Sequence, residues 1–340
     1  MNLEKLEEIL KDEPKYRLRQ GEEAVFKNLI SDWSEATFFP LELRQKLNKA
    51  CPLSINAETF ISEKKDNIKA KITLDDGVQI ESALMRHNDG RNTVCVSSQA
   101  GCPLACEFCA TGKMGFTRNL KAFEIVEQVI FFNRLLKKED ERVTNIVFMG
   151  MGEPFLNYDN VMEAIRILND KDGLNIGARH ISVSTVGLTD GIRKFSEEKL
   201  QVNLAVSLHA PNNKLRKEII PAGNEYSLES IFRAVDSYIK ETKRQVMFEY
   251  LLIEDFNDSD ECALELAKLM RKPLYFLNLI LYNPTGDFKP PSTKRVMAFK
   301  SILEKRRIKF SQRFRLGQDI KAACGQLATT KNHGKKNFRK

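Results

Sequence analysis

The stretch GCPLACEFCATGKMGF at residues 101–116 decides how the rest of the chain is interpreted. It places Cys102, Cys106 and Cys109 in a C-x3-C-x2-C pattern directly after a β-rich run. A structural zinc ion normally takes four protein ligands, and no fourth Cys or His lies in this loop. A [4Fe–4S] cluster held by only three cysteines would leave one iron free to bind a small molecule. The loop therefore favours a cluster, with zinc and three unrelated buried thiols as the alternatives.

Length and composition limit the class of protein. The chain has 340 residues, of which 42% are hydrophobic, which is enough to build a packed core. No apolar run approaches the roughly 18 residues that a membrane helix needs. The first residues, MNLEKLEEILKDE, lack the apolar core and cleavage site of a secretory signal. We therefore expect a cytoplasmic protein whose seven cysteines stay reduced, and in that compartment cysteines are more often metal-binding or catalytic than paired in disulfides.

The charge balance is modestly basic. The 54 Lys and Arg residues exceed the 46 Asp and Glu residues, which leaves a net charge of +8. Charge alone favours an ordinary solvated surface. The alternative is an anionic partner such as nucleic acid, helped by the basic end KNHGKKNFRK at residues 331–340.

The pattern of apolar residues changes twice along the chain. Helical spacing dominates the first fifty residues. Residues 67–74 and 78–85 then alternate apolar and polar side chains around Asp75-Asp76-Gly77, which predicts a β-hairpin. We divide the chain into an accessory domain (1–90, helical and then β-hairpin), a core (91–328) and a basic tail (329–340).

The core alternates short β-rich runs with longer helical ones. This order predicts an α/β fold, in which a parallel sheet with crossover helices forms a barrel or a partial barrel of six units. In such barrels the functional residues lie at the carboxyl ends of the strands. The predicted strands cover residues 93–98, 144–149, 180–185, 202–208, 245–252 and 275–282. The predicted helices cover residues 122–137, 160–168, 227–240, 261–270 and 294–304.

The cysteine loop, with the aromatic Phe108 before its last cysteine, resembles the signature of the radical S-adenosylmethionine (SAM) superfamily. In that superfamily the cluster's free iron takes the amino and carboxylate groups of SAM. Four further motifs are CVSSQAGC at 95–102, FMGMGEP at 148–154, SLHAP at 207–211 and AACGQL at 322–327. Together the motifs resemble the RlmN/Cfr family of radical SAM methyltransferases, which methylate adenine in ribosomal RNA. The resemblance implies a radical SAM partial (β/α)6 barrel, preceded by an accessory domain that is a candidate for RNA binding.

The family has two branches, and one residue bears on the choice between them. One branch methylates C2 of the adenine, whereas the other methylates C8 of the same ribosomal adenosine and confers antibiotic resistance. Pro154 follows Glu153 here, as in the C2 branch, whereas the C8 branch has Ala at this place. The sequence favours the C2 branch and leaves the C8 reaction open.

The resemblance also implies a set of SAM contacts at the ends of the predicted strands. By resemblance, Gly152 and Glu153 contact the ammonium group of SAM. Without the resemblance, Gly152 and Glu153 are equally explained as a strand-to-helix turn with an incidental acid. The serines of the full set would be ordinary strand hydroxyls, and its histidine would be structural. The full set of implied SAM contacts is Gly152, Glu153, Ser184, Ser207, Leu208, His209 and Asn283.

The implied chemistry uses two SAM molecules and two further cysteines. Cys324 takes a methyl group from one SAM as S-methylcysteine, and a 5′-deoxyadenosyl radical from the second abstracts hydrogen from that methyl group. The resulting radical adds to the adenine, a base removes the ring proton, and Cys95 attacks the Cys324 sulfur, leaving a transient disulfide. Glu81 is the candidate base. Without the resemblance, Cys324 is a small residue in a tight turn and Glu81 a solvent-facing strand carboxylate.

The implied partners are 23S ribosomal RNA, transfer RNA as a further candidate substrate, and an electron donor such as flavodoxin or ferredoxin. A base in folded RNA must be unstacked to enter a deep pocket, and basic residues around the pocket would hold its phosphates. We expect a monomer. The competing class is a zinc-stabilised RNA-binding module without redox chemistry. The basic candidates, each also consistent with a solvated face, are Arg295, Lys300, Lys305, Arg306, Arg307, Lys309, Arg313 and Arg315.

Overall fold

The structure is a computed structural model that describes residues 3–313 and 317–329. Arg315 and nearly all of the predicted basic tail lie outside the described residues. Within them, no helix is both long and apolar enough to cross a membrane.

Three helices open the chain, as their apolar spacing predicts: α1 (Leu3–Leu10), α2 (Lys15–Phe26) and α3 (Leu41–Ala50). Pro14 and Pro40 stand directly before α2 and α3, where a missing backbone N–H costs no helical hydrogen bond. Between these two helices, Trp33 is buried and its Nε1 donates to the Cys51 carbonyl at 2.8 Å.

An antiparallel ribbon follows, formed by β1 (Asn56–Ile61), β2 (Asn67–Thr73) and β3 (Gln79–Arg86). The predicted hairpin is β2 and β3, and Gly77 in its turn has a φ of +81°. The apolar pattern does not reveal β1, because this strand lies at the sheet edge with both faces largely exposed.

The core begins with β4 (Asn92–Cys95), which is shorter than predicted. Beyond it, the side-chain amide of Gln128 bonds both the N–H of Ser97 (2.8 Å) and its carbonyl (2.9 Å), so residue 97 makes no ladder bonds through these groups. The remaining elements are β5 (Gln99–Gly101), α4 (Ala110–Met114), β6 (Phe116–Asn119), α5 (Ala122–Lys137), β7 (Asn145–Phe148), α6 (Tyr158–Asn169), β8 (Ile181–Thr185), α7 (Thr189–Ser196), β9 (Asn203–Ser207), α8 (Asn213–Ile219), α9 (Leu228–Thr242), β10 (Val246–Leu252), α10 (Asp260–Leu269), β11 (Tyr275–Leu281), α11 (Thr293–Lys305) and β12 (Phe310–Gln312).

Within the described residues, one large sheet has the strand order β1-β2-β3-β4-β7-β8-β9-β10-β11-β12. From β4 to β12 every neighbouring pair is parallel, which confirms the predicted α/β arrangement. Cys95 at the end of β4 and Arg313 just after β12 line one cavity, so the sheet curls into a partial barrel. The hairpin continues the same sheet through the antiparallel β3–β4 pair. The division at residue 90 stays a prediction.

One apolar core runs through the molecule, and it includes side chains from the first helices as well as the barrel. Leu6 of α1, Ile146 of β7 and Val183 of β8 are all fully buried. Packing both the hairpin and the helices onto the barrel leaves the carboxyl ends of the parallel strands as the open end of the fold.

Candidate active site

A cavity opens at the carboxyl ends of the parallel strands, where the barrel rule predicts it. Three predicted site residues do not line it, namely Leu208, Asn283 and Glu81. The predicted residues that do line it are Cys95, Cys102, Cys106, Cys109, Gly152, Glu153, Ser184, Ser207, His209 and Cys324.

The cysteine loop is held in shape by backbone bonds. The N–H of Cys102 donates to the Gly115 carbonyl at 2.9 Å, and that of Cys109 to the Cys106 carbonyl at 3.0 Å. A Cβ at Gly112 would lie 2.8 Å from the backbone nitrogen of Cys106, so only glycine lets helix α4 pack against the loop. These contacts turn the three thiols toward one cavity.

The chemistry of these thiols fits a cluster better than a single ion. Burial raises the pKa of Cys102 to about 12 and that of Cys106 above its ordinary value. The charge of the neighbouring Cys109 raises both pKa values further. Thiolates so placed need a positively charged centre. In the described part of the chain, no three His, Cys, Asp or Glu side chains converge as ligands of one metal ion. The ligands of a four-iron cluster are spread more widely than those of a single ion, and three soft sulfur ligands on one wall suit it.

Glu153 forms the polar floor next to the thiols. Its side chain is 3% exposed and accepts from the N–H groups of Val186 (2.9 Å) and Phe155 (3.1 Å). Burial nevertheless raises its pKa to about 7, and no Lys, Arg or His of the described residues forms an ion pair with it. Gly152 has a φ of +103°, and a Cβ there would lie 2.5 Å from Gln99. The turn thus requires glycine and leaves a buried carboxylate ready for an ammonium group.

Two hydroxyls and an imidazole line the next strands. Ser184 is the second-last residue of β8 and Ser207 is the last residue of β9, and their Oγ atoms are 3.4 Å apart. Nδ1 of His209 accepts from the N–H of Leu251 at 3.1 Å. The imidazole and the Phe108 ring pack edge to face, with their centroids 4.8 Å apart. Burial lowers the pKa of His209 to about 3, so its imidazole is neutral and presents an Nε2–H donor. The wall therefore offers three donors to a polar ligand.

Leu208 and Asn283 act on the site without lining it. The Leu208 side chain is fully buried in the apolar core, and its N–H donates to the Glu249 carbonyl at 3.0 Å. Nδ2 of Asn283 donates to the carbonyl of Cys324 at 3.2 Å, and its Oδ1 accepts from Gln318 at 2.8 Å. Asn283 thus ties the loop of Cys324 to the end of β11.

Cys324 and Cys95 both line the cavity, Cys95 at the end of β4 and Cys324 in the segment that follows β12. Cys324 is the more exposed residue of the two, but the loss of water around its sulfur atom raises the pKa of its thiol to about 11. Burial raises the pKa of Cys95 to about 12, and the positive charge of Arg313 acts against both shifts. The loop of Cys324 docks on the cluster loop, since Ala110 donates to the Gly325 carbonyl at 2.8 Å. The structure therefore joins three predicted ligands and two predicted reaction partners in one cavity.

Glu81 is 3% exposed, so the solvent-facing alternative is wrong. Its Oε1 pairs with Nζ of Lys69 at 3.0 Å, and its Oε2 accepts from the N–H of Ala328 at 2.9 Å. Ala328 lies four residues beyond Cys324. Glu81 therefore does not line the cavity, but its carboxylate is hydrogen-bonded to the segment that follows Cys324.

The sequence predicted no role inside the cavity for two charged residues that line it. Glu249 lines the cavity from the middle of β10. The sequence offered a signal for this residue, because Glu249 is the single acid in the apolar run VMFEYLL. Arg313, predicted as one of several RNA-facing basic residues, lies in the cavity and pairs with Glu249 at 3.3 Å. Of the other basic candidates, Arg295 pairs with Asp260 at 2.9 Å on the surface.

Comparisons with known proteins agree with this geometry. The family model described as the radical SAM superfamily matches residues 96–267. "Ribosomal RNA large subunit methyltransferase N" of Nitrosopumilus maritimus is 44% identical over 325 residues, which covers 93% of each chain. "Probable dual-specificity RNA methyltransferase RlmN" of Dictyoglomus thermophilum is 43% identical over 330 residues, 96% of this chain and 94% of the relative. The crystal structure of a radical SAM methyltransferase from Sphaerobacter thermophilus superposes with a TM-score of 0.92 at 44% identity, covering 96% of this chain and 97% of the other.

Proposed function

The chain belongs to the RlmN family of radical SAM RNA methyltransferases, and from this premise we propose that it methylates C2 of an adenosine in 23S ribosomal RNA. The observation that carries the proposal is the cavity that contains three cysteines of one loop together with Cys95 and Cys324. A zinc-stabilised binding module would need no pair of additional thiols in that cavity.

In this proposal Cys102, Cys106 and Cys109 hold a [4Fe–4S] cluster, and the buried acid Glu153 receives the ammonium group of SAM. An ammonium beside this carboxylate would offset the desolvation that now raises its pKa. Ser184, Ser207 and His209 supply hydroxyl and imidazole groups to the rest of the ligand. When bound, the cluster supplies the electron that turns SAM into the source of a carbon radical.

Cys324 is the proposed methyl carrier and Cys95 the thiol that later bonds to its sulfur. Support comes from their shared cavity and from the tether between Asn283 and the Cys324 carbonyl, which limits the motion of the loop. Cys324 is the exposed member of the pair, as a residue that meets a large substrate must be. Cys95 ends β4 within the sheet and is fixed by the strand.

Glu81 remains the proposed base for the ring proton. Its support is burial, which removes competing water, and its bond to Ala328 in the loop of Cys324. To take the proton, the carboxylate would turn from the Ala328 N–H toward the cavity while Lys69 holds its other oxygen. If RNA binding moved the segment that contains Cys324 and Ala328, Oε2 of Glu81 would lose its bond to the Ala328 N–H and become available.

The identity of the methylated carbon rests on the relatives and on one residue. The chain is similar over most of its length to relatives named methyltransferase N. Pro154, the residue that the C2 branch has after Glu153, begins the short helical turn there. The words "dual-specificity" in the relatives' names support a second RNA substrate, for which we propose transfer RNA. We further propose a monomer in the cytoplasm that receives electrons from a flavodoxin or a ferredoxin.

The test is the position of the new methyl group. The protein would be reconstituted anaerobically with iron and sulfide and incubated with SAM, a reductant and 23S ribosomal RNA that lacks the modification. Mass spectrometry of the RNA digest should show 2-methyladenosine, and Cys324→Ala should show none. Finding 8-methyladenosine would assign the chain to the C8 branch, and full turnover by Cys324→Ala would refute the role of that thiol.

A further inference from the structure

Glu249 has one carboxylate oxygen that the protein leaves unbonded inside the cavity. Its side chain is 4% exposed, and its Oε2 has no hydrogen-bond partner among the residues that the structure describes. No other residue of the described cavity lining has a buried side-chain oxygen or nitrogen in that state. Buried polar atoms of folded proteins nearly always have a partner, because an unmet one costs free energy. The position of Oε2 therefore indicates a donor that arrives with a bound molecule.

The other oxygen of this carboxylate is held in place by the barrel. Oε1 of Glu249 accepts from Nδ2 of Asn278 at 2.9 Å and lies 3.3 Å from Nη2 of Arg313. Ser311 in turn donates to Oδ1 of Asn278 at 2.7 Å. Glu249, Asn278 and Ser311 are register partners on β10, β11 and β12, so three neighbouring strands fix this row. Because Oε1 is occupied, Oε2 is left as an acceptor at a fixed place.

The depth of Glu249 favours the base of a nucleotide over its sugar or phosphate. Glu249 stands three residues before Leu252, the last residue of β10, which places it about 10 Å below the carboxyl end of that strand. A nucleotide that is extruded from folded RNA enters an enzyme pocket base first and is read along its Watson–Crick edge. Its ribose and phosphates stay nearer to the solvent.

The chemistry of the unbonded oxygen selects among the purines. An ionised carboxylate accepts hydrogen bonds and cannot donate them, so Oε2 needs an amino group on the base. Adenine has an amino group at C6, whereas guanine and hypoxanthine have a carbonyl oxygen there, which the carboxylate would repel. Cys324, the proposed methyl carrier, lines the same cavity as Glu249, so the target base enters the space that both residues face.

We propose that Glu249 is a specificity-determining residue whose Oε2 accepts a hydrogen bond from the exocyclic amine of the target adenine. The inference rests on the proposed function in one respect, namely that the cavity takes an adenine of RNA. The adenine of SAM has the same amine and is the nearest competitor, since Ser207, a proposed SAM contact, is the register partner of Glu249 on β9. The other alternative is a structural carboxylate that only pairs with Arg313 and Asn278.

The experiment compares 23S ribosomal RNAs that differ only at the adenosine that the family methylates, which is kept or replaced by purine riboside or inosine. Purine riboside lacks the amine, and inosine has a carbonyl oxygen in its place. Filter binding measures the affinity of the full-length, cluster-loaded protein for each RNA with no reductant present. We expect adenosine to bind about tenfold more tightly than purine riboside, which is the loss of one hydrogen bond to a charged group, and inosine to bind more weakly still.

Substitutions separate recognition of the amine from packing. Glu249→Gln removes the charge and offers an amide N–H to a carbonyl oxygen, so the preference for adenosine over inosine should fall at least about fivefold. Differences in the folding of the RNAs cancel, because the same RNAs are compared on both proteins. Glu198→Gln, at a surface pair with Arg166, is the matched control and should keep the preference. If circular dichroism shows that Glu249→Gln does not fold, the double variant with Arg313→Gln removes both charges of the buried pair, and the same fall is expected.

The proposal is overturned if the unsubstituted protein binds the three RNAs equally. It is also overturned if Glu249→Gln weakens all three by the same factor, which would make the carboxylate structural. Equilibrium dialysis of S-adenosylhomocysteine and its deaminated form, S-inosylhomocysteine, tests the competing source of the amine. If Glu249→Gln changes the discrimination between these two ligands and not that between the RNAs, the residue reads SAM and the assignment to the target base is wrong.

These binding ratios need no methyl transfer. An RNA digest without 2-methyladenosine would refute the proposed function and leave the ratios measurable. Equal binding of the three RNAs would refute the role of Glu249 and leave the methylation result intact. The two failures are therefore distinguishable.

Discussion

Replacing Glu153 by Gln should stabilise the protein at alkaline pH while removing its affinity for SAM. In the structure the buried carboxylate accepts two backbone N–H bonds and has no cationic partner in the described part of the chain. Burial raises its pKa from 4.5 to about 7. Because the native state holds this proton more tightly than the unfolded chain, stability falls as the pH rises from about 4.5 to about 7.

The magnitude follows from the shift. A rise of about 2.5 units costs the native state about 3 kcal/mol once the carboxylate is ionised in both states. The amide that Glu153→Gln introduces would keep one of the two backbone bonds and lose the other, which costs about 1 kcal/mol. The net gain for Glu153→Gln is therefore about 2 kcal/mol at pH values near 8.5, from the same two magnitudes. At a pH of about 4.5, where ionisation contributes little, the variant should be about 1 kcal/mol less stable.

The assay is urea unfolding of the full-length protein without SAM, at about pH 8.5 and about pH 4.5, on either side of the shifted pKa, with equilibrium dialysis of labelled SAM in parallel. Glu198→Gln, which changes a partly exposed acid, serves as the control and should show no such reversal. A stability difference with the same sign and size at both pH values would refute the reasoning, since it would place the effect in packing rather than in ionisation. Undiminished SAM binding by Glu153→Gln would refute the ammonium contact.

Three further changes have defined outcomes. Lys69→Met should destabilise the protein by about 3–5 kcal/mol by leaving Glu81 buried and unpaired, and adding Glu81→Gln should recover most of that loss; urea midpoints of the singles and the double measure it. Gly152→Ala should cost about 1–3 kcal/mol and weaken SAM binding at least about tenfold, because its φ of +103° and the nearby Gln99 exclude a Cβ; unaltered dialysis would contradict this. His209 protonates in the unfolded chain near pH 6.5 but in the native state only near pH 3, so stability should fall as the pH drops through that window, by about 1.4 kcal/mol per unit. His209→Gln should remove that slope, and thermal unfolding between about pH 7 and about pH 4 checks it.

Much of the fold could be predicted because the parallel strands are buried on both faces. Continuous apolar runs such as those of β10 and β11 mark the core strands, and the helical periodicity of α5 matches its observed bounds. Two of the elements that were not predicted have weak sequence patterns. The edge strand β1 is largely exposed, and α8 has only seven residues. Their conformation is decided by neighbours in space rather than by their own spacing.

The candidate site divides in the same way. The C-x3-C-x2-C loop is local, so its residue types and spacing suffice to predict a cluster. Lys69 and Glu81, by contrast, lie on neighbouring strands, and only the antiparallel register brings them together. Arg313 shows the limit most plainly, because its surroundings in sequence indicate a solvated basic face.

The sequence by itself determined the family, the α/β barrel and the cysteines that meet in one cavity, because these depend on short motifs and on periodicities of two and 3.6 residues. Only the tertiary structure decided which charges share that cavity. It buried Glu153 with no cationic partner among the described residues, bound Glu81 to the segment that follows Cys324, and paired Arg313 with Glu249 inside the cavity. Electrostatic energies depend on separation in space and on burial, and neither is written in the order of residues along the chain.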